Sequence, residues 1–337
     1  MRGAANLKTM LWSWSEKFPL NGENASLPSR QGHSSFVFNN AQLVILGGTR
    51  KSRFMNDMLV CDLENSCARW KKKVASGAVP SPRAYSSFAQ FDPYTFLMFG
   101  GQTGEHELAS DLRMLKVNPD GRLVWILLKV SGVTPSARYG HAVGCYRNMF
   151  IIHGGRGRLK SLRDVGVLDM TSRTWLDVQD IDRPAPRYLH SGSIVGRYLI
   201  IFGGRNARGK VFNDVHALDL ETWRWYKPSV QGAIPEPRYG HSCVVIGYDI
   251  VMTGGRLASG KLASPSSVYV LDARTWEWSH RECLRGSMPN PRAFHSLSFA
   301  RNSLFLVGGE TNTPYDTPTN TLHQLDIISE CSIRNEL

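Results

Sequence analysis

Six glycine doublets punctuate the chain, at Gly47-Gly48, Gly100-Gly101, Gly154-Gly155, Gly203-Gly204, Gly254-Gly255 and Gly308-Gly309. The intervals between them are 53, 54, 49, 51 and 54 residues, across a chain of 337. Five near-equal intervals mark a tandem array, and such arrays run long as a single unit. Length alone would suggest about two domains; the periodicity overrides that count and predicts one domain over 10–328, with short tails on either side.

Other residues keep phase with the doublets. An arginine stands 16 or 17 positions before each one: Arg30, Arg83, Arg138, Arg187, Arg238 and Arg292. Three residues later comes His33, His141, His190, His241 or His295, with Ser86 in the second unit. An apolar run leads into the glycines, as in Leu43-Val44-Ile45-Leu46. After a variable loop, sometimes opening Asn-Asp (Asn56-Asp57, Asn213-Asp214), a second apolar run closes on Asp62, Asp169, Asp219, Asp272 or Asp326. Trp70, Trp125, Trp175, Trp225 and Trp278 end the units. Short runs rich in β-branched and aromatic residues between turn signals predict four strands per unit. Strand A follows the arginine, strand B ends at Gly-Gly, C ends at the aspartate, and D carries the tryptophan. One such sheet cannot bury both faces, but six packed radially can.

The ends match each other. The sixth unit has a strand C at Leu322–Ile327 but no tryptophan strand after it, and Leu11-Trp12-Ser13-Trp14-Ser15 precedes the first unit. The N-terminal strand is expected to complete the last blade.

These marks, with Pro237-Arg238-Tyr239-Gly240-His241, Gly203-Gly204-Arg205, Asn213-Asp214 and Trp223-Arg224-Trp225, resemble the kelch-repeat family over about residues 10 to 328. The resemblance implies an all-β, six-bladed β-propeller of four-stranded antiparallel blades. It implies no single function, since kelch propellers serve many roles. Some are substrate receptors of ubiquitin ligases that read acidic motifs or C-terminal carboxylates; others are trafficking or cytoskeletal adaptors. Kelch ligase receptors carry a BTB domain or a cullin-binding box, and the short tails here have room for neither. Either the chain is the propeller alone, or another subunit supplies recruitment.

Five of the ten histidines share one repeat slot, which makes them structural rather than metal ligands. Plant glucosinolate specifier proteins, which are similar propellers, hold iron with Glu-x3-Asp-x3-His; no histidine here has an aspartate four positions before it. Neither nucleophile elbow, P-loop nor HExxH occurs. No enzyme activity, metal or cofactor is expected. Cys61, Cys67, Cys145, Cys243, Cys283 and Cys331 form no CxxC pair, and Cys145 and Cys243 fall in predicted strands as buried thiols. A reducing compartment, the cytoplasm or alternatively the nucleus, fits this usage. No apolar run reaches the length of about 18 residues that a membrane helix needs.

The repeated arginines are expected to maintain the fold by bonding carbonyls or carboxylates between blades, so function is sought where repeats differ. The loops joining B to C carry twelve basic groups: Arg50, Lys51 and Arg53; Arg156, Arg158, Lys160 and Arg163; Arg205, Arg208 and Lys210; Arg256 and Lys261. The second and sixth loops carry only acids, Glu105, Glu107, Glu310 and Asp316. The net +8 is most of the chain's +12. Arg156, Arg205 and Arg256 follow the doublet in consecutive blades, which directs them to one region near the channel mouth, with Arg158, Arg208, Arg50 and Arg53 around it. Guanidinium forks suit a carboxylate or phosphate. The expected partner is another protein, bound through an acidic segment. Asp177, Asp180 and Asp182 are expected to trim the patch. Nucleic acid or anionic lipid is the alternative for the same face, disfavoured because these loops offer only Phe54, Phe212 and Tyr315 for stacking.

Overall fold

A computed structural model describes residues 10–17, 27–64, 69–283, 285–312 and 319–328. Six antiparallel sheets surround one axis, and the A strands of neighbouring blades contact each other all the way round. Blade 1 runs Ser34–Phe38, Gln42–Leu46, Met58–Asp62, Trp70–Lys73. Blade 4 runs Ser191–Val195, Tyr198–Phe202, Val215–Asp219, Trp225–Tyr226. In blade 6, Ser296–Ala300, Ser303–Val307 and Leu322–Ile328 are joined by Leu11–Glu16, antiparallel from Leu11 opposite Ile328 to Glu16 opposite His323. The expected closure by the N-terminal strand is therefore present. Cys67, Tyr315, Asp316 and Cys331 lie outside the described residues.

One feature departs from four strands per blade. In blades 2, 3 and 5 the D–A link adds a short fifth strand, Ala75–Gly77, Ser131–Gly132 or Gln231–Gly232, parallel to strand D. The glycine is required because a Cβ at Gly77, Gly132 or Gly232 would lie 2.1–2.4 Å from the carbonyl oxygen of Trp125, Trp175 or Trp278.

The core is divided among the blade junctions. Each of six apolar clusters joins two neighbouring blades, and each contains the strand-D tryptophan of one of them. Trp14 fills that place in the N-terminal strand and is 1% exposed. Cys61, Cys145, Cys243 and Cys283 are free thiols whose pKa burial pushes up to about 11 or 12, which makes them poor nucleophiles.

The repeat-slot arginines act within their own blade, not between blades as expected. Arg30, Arg138 and Arg187 donate to the first glycine's carbonyl (Gly47, Gly154, Gly203) and form a two-pronged pair with Asp57, Asp164 or Asp214. That pairing is why an aspartate follows Asn56 and Asn213. Blades 5 and 6 lack the acid: Arg238 lies on the Tyr269 ring, and Arg292 bonds the Thr321 hydroxyl.

Inter-blade bonding falls instead to the backbone. The second glycine of each doublet donates to the slot arginine's carbonyl in the next blade, from Gly48 to Arg83 around to Gly309 and Arg30, at 2.8–2.9 Å. A second circuit runs through the residues two after each arginine: Gly32, Tyr85, Gly140, Leu189, Gly240 and Phe294. Each donates to its predecessor, and Gly32 closes onto Phe294, at 2.7–3.0 Å. All six have φ between 54° and 63°. Glycines alternate with large residues because each large side chain covers the preceding glycine; a Cβ at Gly240 would sit 2.4 Å from the Phe294 ring. Tyr85, Leu189 and Phe294 thereby narrow the central channel above the histidine ring.

Candidate functional site

The post-glycine position pairs across the blade with the residue following the slot arginine. The six couples are Gln31–Thr49, Ala84–Gln102, Tyr139–Arg156, Tyr188–Arg205, Tyr239–Arg256 and Ala293–Glu310. A tyrosine thus stands beside each post-glycine arginine, and only in those three blades.

These side chains interleave at the channel mouth. Arg156 lies 5.8 Å from the centre of the Tyr188 ring, and Arg205 lies 5.9 Å from the same ring and 4.8 Å from that of Tyr239. Arg205 also donates from Nη1 to the Tyr239 hydroxyl at 3.2 Å. Tyr139 packs edge-on against Tyr188. Burial, then Tyr188, pushes the Tyr139 phenol up in pKa, while Arg156 and Arg205 pull it down. Arg156 Nη1 and Arg205 Nε are buried without a hydrogen-bond partner among the described residues, an expensive condition for charged donors.

Arg256 is different. Blade 6 has Ala293 where blades 4 and 5 have tyrosine, so no ring lies under this guanidinium. Its Nη2 pairs with Glu310 Oε1, and its Nη1 donates to the Gly260 carbonyl. The structure therefore joins Arg156 to Arg205 through Tyr188 and sets Arg256 apart in an internal ion pair. Arg158 and Arg208 are exposed on the outer loops of blades 3 and 4. Arg50 and Arg53 stand opposite each other in an exposed hairpin of blade 1. Asp180 does not trim the patch; it is buried, accepting from Trp225 Nε1 at 3.2 Å and pairing with Arg183 at 2.7 Å. Phe212 is no stacking platform either, since it is buried under the Arg187 guanidinium.

The sequence reading missed the three tyrosines. Their signal was available: an aromatic directly after the slot arginine in the same three units that carry a post-glycine arginine. These aromatics lie beside the slot arginine and reach the B–C loops only through the pairing across the blade.

The two faces treat their cations differently. On the A–B/C–D face, Arg122, Arg147, Arg197, Arg274 and Arg301 pair with Asp120, Glu221, Asp219, Asp272 and Glu64 at 2.5–2.9 Å. Of the twelve B–C loop cations, Arg256 alone has a carboxylate partner among the described residues.

The repeat-slot histidines are buried and held neutral. Burial, then Arg30 or Arg238, lowers His33 and His241 to about 3; burial, then Arg138, His153 or Arg292, holds His141, His190 and His295 well below the ordinary value. His33 and His241 bond the serines that follow the preceding blade's histidine, Ser296 and Ser191. Among the described residues, no three His, Cys, Asp or Glu side chains group as metal ligands would. No helix of the described residues is long and apolar enough to cross a membrane.

Comparison with known proteins agrees with this architecture. The family model described as the KLHDC2/KLHL20/DRC7 Kelch-repeats domain matches residues 4–182 and 179–332. Acyl-CoA-binding domain-containing protein 4 of Arabidopsis thaliana is 30% identical over 87% of this chain and 45% of its own length. The human Rab9 effector protein with kelch motifs is 33% identical over 56% of this chain and 53% of its own. Kelch domain-containing protein 2 of Bos taurus is 26% identical over 86% of this chain and 66% of its own. The chain spans about half the length of the first of these curated relatives. Doublets, slot arginines, strand-D tryptophans and the matched repeats together assign it: the chain belongs to the kelch-repeat propeller family.

Proposed function

We propose that this propeller is a non-catalytic binding module that captures an acidic segment of another protein on its B–C face, centred on Arg156 and Arg205. The observation that carries this reading is the contrast between faces: five arginines of the A–B/C–D face sit in ion pairs, while eleven of the twelve B–C loop cations have no carboxylate partner among the described residues. Around Tyr188, two guanidiniums with unfilled buried donors offer what a side-chain or C-terminal carboxylate accepts. An adaptor role, in ubiquitin ligation, trafficking or the cytoskeleton, would join the captured segment to a second component.

The nucleic-acid alternative gains three tyrosines, but the rings of Tyr188 and Tyr239 already hold guanidiniums at 4.8–5.9 Å. Base stacking would have to displace them.

The test titrates fluorescent peptides ending in two acidic residues, with free or amidated C-termini, against wild type, Arg156→Glu and Arg205→Glu. Charge-assisted hydrogen bonds of about 1.5–3 kcal/mol predict a loss of roughly tenfold to a hundredfold for either variant. Both should melt as wild type does, whereas Arg238→Glu, whose arginine is 2% exposed, should not fold stably. Undiminished peptide binding by both variants would mean that the basic face is only solvated.

A further inference from the structure

A cavity of about 290 Å³ opens between blades 2 and 3 on the A–B/C–D face, opposite the arginine site. Phe91, Met114, Leu128 and Met170 supply its apolar lining, with Lys116 from blade 2 and Arg173 from blade 3 among its polar groups.

Four of the other five junctions on this face are bridged. Between blades 3 and 4, Glu221 accepts from Tyr146 (3.3 Å) and Arg147 (2.9 Å) of one blade and Arg197 (3.2 Å) of the other. Between blades 6 and 1, Arg301 pairs with Glu64 at 2.9 Å. Phe38 meets Tyr94 between blades 1 and 2, and Tyr226 meets Trp276 between blades 4 and 5. At the junction of blades 2 and 3, Thr171 stands where blade 4 has Glu221, two residues after the aspartate that ends strand C. Lys116 and Arg173 therefore have no ion-pair partner among the described residues. Asp92, the acid that also lines the cavity, accepts the Tyr94 backbone N–H at 2.8 Å.

We infer that this cleft is a second docking surface, built for a partner-protein segment in which an apolar side chain neighbours a carboxylate. The carboxylate takes, between Lys116 and Arg173, the bridging role that Glu221 has at the next junction, and the apolar group covers Met114 and Met170. Size permits this, since an engineered apolar cavity of about 150 Å³ holds benzene.

The inference is independent of the B–C face and is tested separately. Protein labelled with ¹³C at methionine methyls is titrated with a capped hexapeptide containing Phe-Asp, and with its Phe-Asn and Gly-Asp counterparts. The Phe-Asp peptide should shift the Met114 and Met170 methyls saturably and leave those of Met98 and Met252 in place. The two counterparts, and Lys116→Glu or Arg173→Glu protein, should bind at least tenfold more weakly. Both residues are exposed, so the variants should melt as wild type does. Arg205→Glu should leave these shifts unchanged. The inference is overturned if Met114 and Met170 do not move, if Phe-Asn matches Phe-Asp, or if Arg205→Glu abolishes the shifts.

Discussion

A side chain that occurs six times cannot be judged by its chemistry alone. The slot arginines and histidines are the chain's most reactive-looking residues, yet the arginines are bonded within their own blades and the histidines are buried against the preceding one. Their burial has a measurable consequence in acid. Seven histidines have pKa values lowered by burial: His33, His241 and His323 to about 3, and His141, His153, His190 and His295 well below the ordinary value. Folded, they stay neutral; unfolded, they take up protons below about pH 6.5. The unfolded state then binds more protons, so stability is fully present above that pH and falls as the pH drops toward 3. At pH 5.5 these rings are mostly protonated in the unfolded chain and neutral in the folded one, so all seven act in the same direction against a domain's margin of about 5–15 kcal/mol. Thermal melts should be flat from pH 8 to 7 and collapse between 6 and 5. A midpoint that holds steady to pH 5 would show that the rings are protonated in the native state.

Among the elements, the N-terminal strand has the largest leverage per residue. It covers the edge of Leu322–Ile328 and brings Trp12 and Trp14 into the cluster between blades 5 and 6. Removing residues 1–16 should expose that edge to self-association and produce aggregation or a much lower melting temperature. Trp14→Ala in the full chain should lose about 3–5 kcal/mol by denaturant titration. If the truncated chain melts like the intact one, the strand is not needed for closure. This element was legible in the sequence because one unit lacked a tryptophan strand and the chain's start supplied it. The fifth strands were not. They are two or three residues long with no apolar alternation, and their one trace is a glycine six positions before the arginine, as at Gly77, Gly132, Gly232 and Gly286. The internal pairing of Arg256 was hidden for another reason: loop charges can be counted by blade, but the reach of Glu310 into the neighbouring blade depends on Ala293 being small.

At the scale of the whole molecule, one face holds five loop arginines in ion pairs, and the other leaves all but one of its loop cations without a carboxylate among the described residues. Binding at the B–C mouth should therefore weaken as salt rises, with exposed Arg158 and Arg208 more easily screened than half-buried Arg156 and Arg205. Measuring peptide affinity from 50 to 500 mM salt checks this, and a flat response would speak against a charge-driven site. The circuit of backbone bonds through Gly32, Tyr85, Gly140, Leu189, Gly240 and Phe294 bears on how such a ring can be opened. A helix has poles, because its first amides and last carbonyls go unmatched. This loop has no first amide and no last carbonyl; the peptide dipoles chase one another around the axis and leave no charged end for solvent or a capping side chain to tend. No blade is electrically the beginning, although Leu11–Glu16 and Leu322–Ile328 meet in blade 6.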